Sequence, residues 1–193
     1  MGGTVDLRTV GQRALRRVLP RRDRLVDRYL LEDVIFPQLL ADAEIEQVLF
    51  VGCAAYTRDY PKRFASKHFR TIDNFIDVAR FGSEDHILDS FANLADHVAP
   101  ATLDAVICNG VVGFGLDDLA DANRAFGAAH DCLRPGGWLV YGWNEDPRFL
   151  PFRPEDIGAL EQFERAAFQP FQDVRHRTYS PFRHVFDFYR RPL

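Results

Sequence analysis

Gly52, Asp73, Asp89 and Asn109 each stand where a short apolar run gives out: Val48-Leu49-Phe50-Val51, Phe69-Arg70-Thr71-Ile72, His86-Ile87-Leu88 and Leu103-Asp104-Ala105-Val106-Ile107-Cys108. A glycine in such a place lets a ligand approach the backbone. A carboxylate about 20 residues further on is placed to accept hydrogen bonds from ribose hydroxyls. Gly52 and Asp73 keep that distance, so the chemistry implied is recognition of a nucleotide-type cofactor. The glycine turn is incomplete, because Ala54 and Tyr56 occupy places where a dinucleotide fingerprint has glycine. Asp73 also reads as a carboxylate that caps the next turn, and Asp89 or Ser90 as the N-cap of a helix through Phe91 and Leu94.

The elements that must position these residues alternate along the chain. Strands are expected at Val48–Val51, Phe69–Asp73, His86–Asp89, Leu103–Asn109 and Trp138–Gly142. Helices are expected from Thr57 to Phe64, from Leu116 to Leu133, and from Pro154 through Ala167. Arg134-Pro135-Gly136-Gly137 stops the second of these. Two β-rich pieces, Phe171–Thr178 and Phe182–Tyr189, read as a closing hairpin. Ahead of them, apolar spacing predicts a helix from Thr4 to Leu19 and another from Asp23 until Pro37 kinks or ends it. Alternating strands and helices imply a parallel sheet covered on both faces, with ligands bound outside the carboxyl ends of the strands. Strands one and four should be neighbours, bringing Cys53 near Cys108.

Composition bounds the rest. The 193 residues are 47% hydrophobic and 27% charged, which suits one globular domain over 1–193, with a helical cap (1–44) on a core (45–193). No apolar run is long enough to span a bilayer, and no signal-peptide core is present. Met1-Gly2-Gly3 begins like an acylation signal, but Asp6 stands where that signal needs Ser or Thr. Cys53, Cys108 and Cys132 lack the spacing of a disulfide framework or a zinc site; no metal is expected, and a reducing cytoplasm is. The net charge is −4, yet the first 28 residues carry eight arginines against three aspartates. That segment reads as a basic helix lying on an acidic body, and nothing else in the chain suggests nucleic-acid binding.

From Leu39 to Asn144 the chain resembles the class I S-adenosylmethionine-dependent methyltransferases. Val48-Leu49-Phe50-Val51-Gly52-Cys53 is similar to their first motif and Ile72-Asp73 to the acidic end of their second strand. Leu88-Asp89-Ser90 is similar to the segment that meets adenine. Leu133-Arg134-Pro135-Gly136-Gly137-Trp138-Leu139-Val140 is similar to the turn before their fifth strand, and is the most specific of these matches. The resemblance implies a Rossmann-like three-layer α/β sandwich: a seven-stranded, mostly parallel sheet with a reversed last strand, plus N-terminal helices. It implies S-adenosyl-L-methionine as cofactor, held by Gly52, Cys53, Ala54, Asp73, Asn74, Asp89, Ser90 and Asn109. Asp73 would grip the ribose, Asp89 or Ser90 the adenine amine, and Arg58 either the methionine carboxylate or solvent. A small-molecule acceptor would lie near Asn109–Phe114 and Trp143–Asp146, with Asn144 beside it and Trp143 either a stacking wall or a core aromatic. No general base is indicated. The family carries an acidic residue where this chain has Phe50, and glycines at Ala54 and Tyr56; these departures support the alternative of a catalytically silent binding module. A nicotinamide-dependent oxidoreductase is disfavoured by the broken fingerprint.

Overall fold

The computed structural model describes residues 26–193. The helix expected over 4–19 and the start of the next at Asp23 lie outside the described residues.

Eight strands form one sheet: β1 (Gln47–Val51), β2 (His68–Ile72), β3 (His86–Ile87), β4 (Leu103–Asn109), β5 (Leu133–Asn144), β6 (Glu164–Arg165), β7 (Arg175–Arg177) and β8 (His184–Arg190). Their order is β3-β2-β1-β4-β5-β8-β6, with β7 also beside β8. The first five run parallel, and β8 runs antiparallel to β5. β6 pairs with Tyr189 and Arg190 of β8, whereas β7 pairs with Val185, Phe186 and Asp187. The two short strands therefore share one edge of β8, and the sheet is seven positions wide, as expected. The closing hairpin is the β7–β8 pair. β1 and β4 are neighbours, with Val51 opposite Cys108 and Cys53 two residues beyond Val51. All three cysteines are free and buried.

Side chains alternate across the pleat, so each strand feeds two cores. Leu49, Val51, Val106, Cys108, Leu139 and Tyr141 face α3 (Leu119–Cys132), whose Ala122, Ala125, Phe126 and Ala129 are fully buried. Asp118 caps that helix by accepting from the Asp121 N–H at 3.0 Å, which is why it begins three residues later than expected. On the other face Val48, Phe50, Ala105, Ile107, Val140, Phe186 and Phe188 meet α1 (26–41) and α2 (Tyr60–Arg63). Phe50, the departure from the family's acidic position, packs edge-on against Phe36 at 6.2 Å and Tyr60 at 5.2 Å. A carboxylate there would be desolvated, whereas a buried phenylalanine contributes about 1.5–3 kcal/mol.

Of the two outcomes expected at Pro37, an end or a kink, the helix does not end: α1 continues through Phe36–Ala41, and a π-helical turn over Leu31–Ile35 precedes it. Proline cannot donate to the carbonyl four residues back and crowds it, and the wider turn absorbs both defects. The helix expected from Pro154 to Ala167 is two 3-10 turns, Pro154–Asp156 and Gly158–Gln162, followed by β6. Ile157, Leu160 and Phe163 are all buried. Their spacing of three suits a turn of three residues and not 3.6, and Gly158 weakens an α-helix there.

Candidate functional site

At the carboxyl end of β1, Gly52 has φ +90°, and an added Cβ would lie 3.0 Å from Val111 Cγ2. Both conformation and space require glycine. The N–H groups of this turn are spent internally. Gly52 N donates to Ile72 O at 2.9 Å, Cys53 N to Asp73 Oδ2 at 2.7 Å, and Ala54 N to Thr57 Oγ1 at 3.2 Å. The turn therefore lacks the row of free donors that a pyrophosphate needs, and the Ala54 carbonyl is itself taken by the Thr57 N–H and hydroxyl, each at 2.9 Å. Asp73 is buried, and its Oδ1 accepts from Phe75 N at 2.8 Å. The turn-capping reading of Asp73 is thus realised, and the same carboxylate ties the β1 turn to the β2 turn. Each of its oxygens keeps a second lone pair for a diol. Asn74 beside it is exposed.

One strand further, Asp89 accepts from Ser90 N at 2.6 Å and Asn93 Nδ2 at 2.8 Å, and meets His97 Nε2 at 2.7 Å. His97 first, then Asn93 and the Ser90 N–H, hold its carboxyl below the usual range. Ser90 Oγ accepts from Ala92 N at 3.2 Å and caps the 3-10 turn Phe91–Asp96. Exposed apolar side chains lie among these polar groups: Phe75 and Ile76 after β2, and Leu88 after β3. An apolar surface beside a carboxylate pair suits a flat heteroaromatic ring with a sugar attached.

Toward the sheet centre, Asp27, Arg28 and Leu31 of α1 line, with Tyr56, Tyr60 and Asn109, a half-open cavity of about 50 Å³. Tyr56, the second departure, is its wall: the Arg28 guanidinium lies 4.0 Å from the ring centroid. Asp27 Oδ1 is buried here without a partner among the described residues, and burial pushes its carboxyl pKa up. Tyr60 donates to Glu32 Oε1 at 2.9 Å, fixing α1 over α2. Arg58 is exposed and rests over Phe81 at 5.1 Å, away from this cavity.

Asn109 also belongs to a buried chain. His184 Nε2 lies 3.0 Å from Asn109 Oδ1, and His184 Nδ1 lies 2.8 Å from Asn144 Oδ1. Burial pushes the His184 ring down to about 3, so it is neutral. Between them, a Cβ at Gly142 would sit 2.0 Å from Asn109 Oδ1 and 2.9 Å from His184 Nε2. Trp143 points to the opposite face. It is 4% exposed, and its Nε1 donates to Asp187 Oδ2 at 2.8 Å. Arg175 pairs with the same carboxylate. Trp143 is the core aromatic of the two readings.

The structure thus brings Gly52, Cys53 and Asp73 into contact and joins Asn109 to Asn144 through His184. Asp89 and Ser90 form a separate cluster at the end of β3. Sequence reasoning missed Asp27, Arg28 and His184. Asp27 and Arg28 look like ordinary helix surface, and His184 is brought in only by the antiparallel register of β8. Among the described residues no cluster of three His, Cys, Asp or Glu side chains is arranged for a metal, and no helix is long and apolar enough to cross a membrane.

Neither a protein-family model nor a curated protein matches the sequence. Solved structures do match. The N-methyltransferase NodS from Bradyrhizobium japonicum WM9, in complex with S-adenosyl-L-homocysteine, superposes with a TM-score of 0.71 at 17% identity, over 97% of this chain and 100% of that one. The 1,6-didemethyltoxoflavin-N1-methyltransferase of Burkholderia thailandensis gives 0.54 at 15% identity, over 100% and 94%. An N2 G1207 methyltransferase of 16S rRNA from T. thermophilus gives 0.53 at 12%, over 90% of this chain and 40% of that one. These superpositions give the fold alone: the chain has the fold of the S-adenosylmethionine-dependent methyltransferases.

Proposed function

We propose that this protein is an S-adenosylmethionine-dependent methyltransferase acting on a small molecule in the cytoplasm. The observation that carries the reading is the Gly52–Asp73 unit: a tight glycine turn with its donors spent internally, locked to a buried carboxylate at the carboxyl end of the sheet. It suits a ribose diol, and it does not suit a dinucleotide pyrophosphate. Asp73 takes the ribose hydroxyls in charge-assisted hydrogen bonds, with Asn74 at the rim. Leu88 and Phe75 cover the adenine, and Asp89 or Ser90 meets its amine. Gly52, Cys53 and Ala54 line the amino-acid end, where Arg28 and Asp27 complement a carboxylate and an ammonium across the cavity.

The cofactor supplies an activated methyl group on a sulfonium. The protein's part is to hold donor and acceptor in line and to exclude water, work that needs no dedicated catalytic side chain. α1 provides the exclusion, and Asn109 with Asn144 lies at the edge where an acceptor enters. A small acceptor is favoured over a nucleic acid because seven of the arginines lie in residues 1–25, leaving the described body acidic, a poor surface for a polyanion. A catalytically silent module is the alternative. It rests on Tyr56, which with Arg28 walls a cavity far smaller than the cofactor.

Thermal unfolding with S-adenosylmethionine, S-adenosylhomocysteine and NAD tests this. A ligand at about 100 times its Kd stabilises by about 2.7 kcal/mol, which raises the midpoint by roughly 5–10 °C in a domain of this size. The two sulfur compounds should produce that shift and NAD should not, and Asp73→Asn should abolish it. No shift with any of them refutes the cofactor assignment and leaves the silent module.

A further inference from the structure

Asn109, Asn144 and His184 come from β4, β5 and β8, the central parallel strands and the reversed strand beside them. The register explains how they meet. Asn109 lies opposite Gly142, and Asn144 opposite His184. The imidazole therefore reaches diagonally across Gly142 to Asn109, through space that any Cβ would fill. A glycine inside a buried strand forgoes packing, and here the room it leaves is taken up by one polar contact.

A neutral imidazole carries a single N–H. It can donate to only one of the two carboxamides, and its other nitrogen must accept from the NH2 group of the other. Two arrangements satisfy this rule, and they differ in what Asn109 shows to the cavity. With Nε2–H donating to Asn109 Oδ1, the Asn109 NH2 group faces the cavity. With Nδ1–H donating to Asn144 instead, Asn109 must turn its NH2 to the histidine and show its carbonyl. The cavity wall decides between them. Among the described residues, Asp27 Oδ1 is already an acceptor without a donor there. A carbonyl beside it would add a second unmet acceptor, whereas an NH2 group supplies the complementary donor.

We propose that His184, as the Nε2–H tautomer, is a positioning residue that fixes the Asn109 carboxamide with its NH2 group directed into the cavity as a ligand donor. Asn144 closes the chain by giving its NH2 to Nδ1. The thread continues to the backbone: His184 N donates to Ser180 Oγ at 3.1 Å, and Thr178 Oγ1 donates to the same oxygen at 3.0 Å. These bonds hold β8 where the ring needs it. The role of the NH2 group rests on the cofactor reading given above; the tautomer does not.

Two measurements test the pair of claims. Long-range proton–nitrogen NMR of the full chain near neutral pH should show His184 protonated at Nε2 and bare at Nδ1. The opposite pattern, or a doubly protonated ring, overturns the proposal whether or not any ligand binds. Calorimetric affinity for S-adenosylhomocysteine should fall about fivefold in His184→Leu, the worth of one hydrogen bond. It should fall equally in Asn109→Asp, which keeps the acceptor for Nε2–H and loses the NH2. His184→Gln, whose amide nitrogen reaches the same point, should stay within about twofold of wild type. Unchanged affinity in Asn109→Asp, with its fold intact, overturns the donor role. Wild type that does not bind the compound refutes the cofactor reading instead, and the NMR pattern still decides the tautomer.

Discussion

Lowering the pH from about 7 to about 5 should destabilise this protein through His184, and substituting that residue should remove the effect. The ring is 3% exposed, and burial pushes its pKa from 6.5 down to about 3. Below about pH 6.5 the unfolded chain binds a proton at this position and the folded chain does not. Stability is therefore complete above that pH and is lost as the pH falls toward about 3. The slope approaches 1.4 kcal/mol per pH unit, and the window from about 7 to about 5 corresponds to roughly 2 kcal/mol. His86 and His176, both lowered by burial, add slopes of the same sign. The informative quantity is thus the difference between wild type and His184→Gln. Urea unfolding of both at the two pH values should show wild type losing about 2 kcal/mol more than the variant. Equal losses would refute the reasoning, because they would mean that the ring is charged in the fold and donates to both asparagine oxygens.

Other perturbations reach the frame around the site. Asp187→Ala should cost about 1–3 kcal/mol in urea unfolding, because it leaves the Trp143 indole N–H without a partner in the core and leaves the Arg175 guanidinium with Glu155 alone. Gly142→Ala should cost about 1–3 kcal/mol by overpacking and should lower S-adenosylhomocysteine affinity as well, since the new methyl displaces Asn109. Asp104 accepts from Glu46 N, Gln47 N and Arg134 Nε at 2.8, 2.7 and 2.6 Å. Burial raises its pKa, but these donors outweigh burial and hold it low. Asp104→Asn should therefore destabilise by about 1–3 kcal/mol near neutral pH, and its deficit should shrink as the pH falls below about 3.8, where the unfolded carboxyl protonates and the wild-type advantage is lost.

What could be read from the sequence was what local pattern dictates. β1 and β4 are runs of buried residues that only a doubly covered strand accommodates, and Gly52 announces a turn because its φ admits little else. The Leu-Arg-Pro-Gly-Gly segment was equally legible, yet its work is structural. Arg134 pairs with Asp104, and a Cβ at Gly137 would strike Arg134 O at 2.9 Å and Asp104 O at 3.1 Å. The most specific motif therefore reports the seam between β4 and β5 and says nothing of a ligand. The segment from Pro154 to Gln162 was misread because a spacing of three fits a short α-helix nearly as well as a 3-10 turn.

The site itself was half legible, and the division is physical. Asp73 could be found because its partner, Cys53 N, lies at the distance that one strand–helix–strand unit imposes. His184 could not, because Asn109 is 75 residues away and the contact depends on which way β8 runs and on its register against β5. A slip of one residue there would turn His184 to the opposite face of the sheet. Tyr56 shows the same limit from the other side. Read alone, it obstructs a glycine turn; with α1 in place it is a wall that carries Arg28. The broken fingerprint and the added helix then form one arrangement. Glycines would leave the amino-acid end open to solvent, whereas Tyr56 with Asp27 and Arg28 narrows it. If that is the reason for the departure, Tyr56→Gly should weaken S-adenosylhomocysteine binding, and a gain in affinity would show that the ring obstructs the site.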